Sequence, residues 1–115
     1  MSQDHKNELV IEASSGNVFE DLGLPNAEER LAKALLARTI KQIIAHHGWT
    51  QSKAAKHVGL AASDMSDIVR GKLARFSLDR LESVILDLDM DIHIRVSPKQ
   101  AESRRGHVSV ELVPA

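Results

Sequence analysis

Between Thr50 and Arg75 the chain sets out side chains suited to one kind of chemistry, the holding and reading of a polyanion. Lys53, Arg70, Lys72 and Arg75 carry positive charge, Thr50, Gln51, Ser63 and Ser66 offer hydroxyl or amide groups, and Asp64 and Asp67 accept hydrogen bonds. An arginine fork can engage two acceptors in one plane, whereas lysine neutralises a phosphate as a point charge. Bond-breaking chemistry needs other arrangements. No serine, threonine or lysine stands in a recognisable nucleophile setting, so an enzyme is not expected.

The remaining chemistry-bearing residues read as structural. His46, His47 and His57 suggest a metal, but neighbouring helical residues point about 100° apart and no carboxylate lies at a ligand spacing. They read as surface histidines, and no metal or cofactor is expected. Asp87, Asp89 and Asp91 lack the Gly and distal Glu of a calcium loop and read as solvated acid at a helix end. Trp49, beside a helix start, reads as a core plug under the first helix rather than a stacking residue.

Four helices are predicted to position these groups. Asn26, with Glu29 three residues on, predicts a capped start for a long helix over Ala27–His47. Ala32, Leu36, Ile40, Ile43 and Ile44 form its apolar stripe, Leu31 and Leu35 widen it, and Gly48 ends it. Thr50 caps a short helix, Gln51–Val58, closed by Gly59. A third spans Ser63–Arg70 up to Gly71, and Ser77 caps a fourth, Leu78–Leu88. The period then changes from about 3.6 to 2: Ile92, Ile94 and Val96, and later Val108, Val110 and Leu112, alternate with polar residues and read as two strands. Leu9, Val10 and Ile11 form a brief candidate strand in the N-terminal stretch, where Val18, Phe19, Leu22 and Leu24 are also apolar enough to pack. The organisation read is therefore an N-terminal arm over 1–25, a helical domain over 26–90 and a C-terminal β extension over 91–115.

Composition narrows the class. A chain of 115 residues has room for one hydrophobic core, and the absence of cysteine removes disulfides and thiolate metal sites. With one Trp, two Phe and no Tyr, the core must be Leu, Ile, Val and Ala, which suits packed helices better than a base-stacking surface. No apolar run approaches the roughly 18 to 20 residues that cross a bilayer, and MSQDHKNE is too polar for a signal peptide, so a cytoplasmic protein is expected. The net charge of −1 hides a strong division. Residues 1–29 carry one Lys against seven acids, residues 31–75 eight Lys or Arg against Asp64 and Asp67, and residues 76–91 Arg80 against five acids. A basic middle between acidic flanks is what a phosphate-facing segment requires.

In the segment Thr50 to Lys72, small Ala55 sits where two helices must cross closely, Gly59 follows in the turn, and Val58, Leu60, Met65 and Ile68 supply apolar contacts at the offsets of two helices meeting steeply. Thr50-Gln51, Ala54-Ala55, Gly59-Leu60, Ser66, Ile68 and Arg70-Gly71-Lys72 resemble the Cro and lambda-repressor-like (XRE) family, over about Leu31 to Leu88. Ser15 to Pro25 followed by Glu28-Glu29-Arg30, together with Phe76-Ser77-Leu78 and the extended ending from Ile92 to Val96, is similar to the HigA-like antitoxin subgroup.

The resemblance implies a mainly α fold, a lambda-repressor-like helix-turn-helix bundle with a C-terminal β-hairpin or strand extension, that binds double-stranded DNA. The helix from Ser63 would lie in the major groove with Ala62, Ser63, Asp64, Ser66, Asp67 and Arg70 as candidate base readers. Thr50, Gln51, Lys53, Lys72 and Arg75 would contact the backbone. Where the family usually has a hydroxyl or amide, this chain has Ala61, so the helix cap is expected to move to Ser63. For the antitoxin subgroup the implied roles are repression of its own operon at a palindromic operator and neutralisation of a RelE or HigB-like toxin. A phage-like regulator without a toxin is the alternative, and a small nucleic-acid-processing enzyme or accessory subunit lacks the catalytic groups it would need. The strands from Ile92 onward are expected to pair with those of a second copy in a homodimer, the alternative being a hairpin folded back on its own bundle.

Overall fold

The computed structural model describes residues 9–12, 26–99 and 108–113. In chain order the elements are β1 (Leu9–Glu12), α1 (Ala27–His47), α2 (Gln51–Val58), α3 (Ala62–Val69), α4 (Leu78–Asp87) and β2 (Ser109–Leu112). α1 and α2 have the bounds that the apolar spacing and the caps predict. α3 starts and ends one residue earlier than predicted, and Leu88 lies one residue beyond α4 as its C-cap.

The core is helical and aliphatic, as the low aromatic content requires. Ile40, Ile43 and Ile44 of α1 lie buried with Ala54 and Ala55 of α2, Met65 and Ile68 of α3, and Leu81, Val84 and Ile85 of α4. Phe76, in the loop before α4, is the largest fully buried side chain. Leu36, Trp49, Val58, Leu60 and Ile92 pack against this cluster from its edges. Thr39 is buried with its hydroxyl satisfied, donating to the Leu35 carbonyl one turn back at 2.8 Å.

The helix ends follow their chemistry, with one exception. Ser77 Oγ accepts from the Arg80 N–H at 3.0 Å, capping α4. Gly59 (φ 76°) closes α2 in the left-handed region, and the Leu60 N–H then reaches back to the Ala55 carbonyl at 2.8 Å. Asn26 does not cap α1: it adopts φ 55° and its side chain makes no cap hydrogen bond. The predicted capping box is therefore absent, and Glu29 pairs along the helix with Lys33 at 3.4 Å.

The C-terminal extension provides one strand, and its partner comes from the opposite end of the chain. β1 and β2 run antiparallel, with Leu9 opposite Leu112, Val10 opposite Glu111, Ile11 opposite Val110 and Glu12 opposite Ser109. β2 packs on α1, and Leu112 is buried in the core. The alternation over 92–97 does not form a strand. Ile92 rests against the core, but Ile94 and Val96 are 82% and 90% exposed in an irregular segment. Alternating polarity qualifies a segment for a strand, but a backbone partner must be within reach, and β2 takes β1 instead. The apolar positions Val18, Phe19, Leu22 and Leu24, and the connection through Arg104 and Arg105, lie outside the described residues.

Replacing Phe76 by Ala removes the largest fully buried side chain and is expected to cost about 3–5 kcal/mol in urea unfolding. Leu86→Ala on the exposed side of α4 should stay within about 0.5 kcal/mol.

Candidate nucleic-acid interface

α2 and α3 pack directly on each other, and the fully buried Ala54 and nearly buried Ala55 leave room for that close crossing. α3 is held from beneath by Met65 and Ile68, neither of which is exposed. Its opposite face carries Ala62, Ser63 and Arg70 exposed, with Asp64, Ser66 and Asp67 half-buried along the same helix. Five of the six residues expected to face base edges thus lie on a short helix presented by the core, and Arg70 follows as its C-cap.

The residues expected at a phosphate backbone divide. Thr50 sits at the N-cap of α2, where its hydroxyl accepts from the Lys53 N–H at 3.1 Å, so it is occupied in holding the helix start. Gln51 and Lys53 are exposed beside it, and the Lys53 ammonium lies 5.3 Å from the Trp49 ring centre. Lys72 is exposed in the turn after α3, a turn fixed by its own N–H donating to the Asp67 carbonyl at 2.8 Å. Arg75 turns back onto α3. Its Nη2 donates to Asp64 Oδ1 at 2.6 Å and to Asp67 Oδ2 at 2.8 Å.

The first turn of α3 differs from expectation. Ala61 is the N-cap and makes no side-chain bond, and Ser63 lies inside the helix, so the cap has not moved there. Asp64, in the first turn, supplies charge that complements the helix dipole. It is also at the centre of an ion-pair network with Arg80 at 3.7 Å, while Asp67 is paired with Arg70 at 3.4 Å. The hydrogen bond from Arg75 is the main cause that holds the Asp67 carboxyl below the usual carboxylate range. The same contact with Asp67, followed by that with Asp64, raises Arg75 above its ordinary value. The Arg75 guanidinium lies 4.5 Å from the Phe76 ring centre and that of Arg80 5.5 Å.

The sequence reading left Arg80 out of the site, and it also missed the outer face of α1. Arg30, Arg38 and Lys41 line an open groove facing Arg70, Lys72 and Arg75 across the molecule's surface. Their helical spacing, with Ala34 and Ala45 between and beyond them, was the available signal. Trp49 is half-buried against the core as expected, but it also stacks on His47 at 4.5 Å and meets His57 at 4.8 Å. His57 in turn contacts Asp89 at 3.1 Å. Among the described residues no three His, Asp or Glu side chains gather into a metal site, and no helix is long and apolar enough to cross a membrane.

Comparison with known proteins agrees with this geometry. A family model described as a helix-turn-helix domain matches residues 18–97. The chain belongs to this helix-turn-helix family. It is also similar to a solved structure described as an XRE family transcriptional regulator, at 31% identity and a TM-score of 0.66, over 75% of this chain and 97% of that one. No curated protein matches it in sequence. Within this fold α2 and α3 are the helix-turn-helix pair, α3 being the second of the two.

Proposed function

We propose that this XRE-type protein is a sequence-specific DNA-binding transcriptional regulator, acting as a homodimeric, antitoxin-type repressor of its own operon. The observation that carries the DNA-binding part is the exposed face of α3, flanked by Gln51 and Lys53 at one side and by Arg70 and Lys72 at the other. Ser63, Ser66 and Arg70 have the donors and acceptors for base edges, and the lysines have the charge for phosphates. Homodimerisation is supported by the needs of a palindromic site and by the apolar side chains Ile94, Val96, Val108 and Val113, which are exposed around the C-terminal extension. The antitoxin part rests on the HigA-like opening of the sequence and on the acidic first 29 residues, which complement a basic RNA-cleaving toxin. A regulator without a toxin keeps every feature of α3 and differs only in having no such partner.

Footprinting upstream of the gene should show two protected half-sites about 10 base pairs apart or a multiple of that. Random protection, or salt-insensitive binding, would refute the reading. Arg70→Ala should reduce discrimination between operator and random duplex by about 1–3 kcal/mol, whereas Lys72→Ala should weaken both alike. In sedimentation, Ile94→Lys with Val96→Lys should convert a dimer to a monomer that retains its helix content. For the antitoxin role, the decisive measurement is co-purification with the product of an adjacent small basic gene and relief of its toxicity in co-expression. An adjacent gene without either effect leaves the toxin-free regulator.

A further inference from the structure

We propose that Arg75 determines the specificity of α3 without reading a base: it cross-braces Asp64 and Asp67 and withdraws both carboxylates from the duplex, leaving Ser63, Ser66 and Arg70 as the reading groups. The inference rests on the proposal that α3 reads duplex DNA, and it assigns to Arg75 a positioning role where a phosphate contact would be the simpler expectation for a loop arginine.

Two carboxylates three residues apart on one helix face repel each other, and both would repel the phosphates of a duplex. Left free, each would also accept from the amino group of cytosine and so compete to define the site. A single nitrogen, Arg75 Nη2, approaches both, at 2.6 and 2.8 Å. Charge-assisted bonds of that length are the strong kind. Arg80 at 3.7 Å from Asp64 and Arg70 at 3.4 Å from Asp67 complete a set of three cations around two acids. The acids that would weaken attraction to DNA are therefore compensated within the protein.

The brace has a fixed foot. The Arg75 guanidinium lies over the ring of Phe76, which is 1% exposed and anchored in the core. The turn that brings the loop back under α3 is set by Gly71 at φ 80° and by the Lys72 N–H bond to the Asp67 carbonyl. Arg75 thereby links the recognition helix to a rigid point of the α3–α4 loop, and a helix of eight residues has few other restraints on its outer face. Arg70 is held only by the longest of the hydrogen bonds in the network, 3.4 Å, and 59% of its side chain is exposed, so it is the arginine available to a guanine.

The test uses the full chain and two duplexes of equal length, one selected from a randomised pool by the wild-type protein and one of random sequence, each titrated over a range of salt. Arg75→Ala should lower discrimination between them by about tenfold. Arg75→Lys keeps the charge but loses the planar fork, and should lose discrimination with the salt dependence unchanged. The triple variant Asp64→Asn, Asp67→Asn, Arg75→Ala should recover most of the loss, because no freed carboxylate remains. The Asp67 carboxyl, followed by NMR, should titrate below the usual carboxylate range in the wild type and move up toward it in Arg75→Ala. The proposal is overturned if Arg75→Ala weakens both duplexes equally, lowers the salt slope by about 1 and is not recovered in the triple variant, the behaviour of a phosphate contact. A wild-type chain that binds the two duplexes alike refutes DNA reading by α3 and this proposal with it. Should Arg75→Ala fail to fold, Arg75→Lys and its combination with the two Asn substitutions give the same comparison.

Discussion

A helix of eight residues cannot hold itself together in water, where isolated helices shorter than about 12 to 15 residues are marginal. α3 exists because Met65 and Ile68 are fully buried. Almost every other feature serves that burial: alanines on α2 where the two helices cross, a left-handed glycine between them, and the long α1 carrying Ile40, Ile43 and Ile44 into the same cluster. The opposite face can then carry Ser63, Asp64, Ser66 and Asp67, since it contributes nothing to the core. Stability and the proposed recognition are assigned to opposite sides of one short element.

The electrostatics of α3 are organised in the same divided way. The helix proposed to face a polyanion carries two acids, and the chain answers with arginines from the helix end, the following loop and the start of α4. Compensation is local, which leaves Lys53, Lys72 and the row on α1 to set the field seen from a distance. A protein with net charge of only −1 can thereby present a strongly positive face.

The parts of the fold that were legible in the sequence are those fixed by nearest neighbours along the chain. The hydroxyls of Thr50 and Ser77 announce their caps because a cap bond spans only three residues, and the glycines announce helix ends because φ is a property of one residue. Asn26 misled because its type permits both a side-chain cap and the left-handed backbone that it adopts. What was not legible depends on partners far apart in sequence. Alternation over 92–97 met no second strand, and β2 found its partner in Leu9–Glu12. The contacts of Arg75 reach back eight and eleven residues across a turn, and no local pattern encodes a distance of that kind. The candidate reading residues were therefore found from the motif, but the state of their charges was not.

The pairing of β1 with β2 joins Leu9 to Leu112 and so closes nearly the whole chain into a single loop. Closing so long a loop carries an entropic penalty that grows with the logarithm of its length, and the bundle closes a long loop of its own, since α1 packs on α4 as α2 packs on α3. Two strands of four residues are marginal by themselves in water, so the ribbon relies on what it packs against. Leu112, buried in the core beside α1, is that anchor. Through that one side chain the clasp fastens residues 9–12 and 109–112 to the longest helix of the bundle.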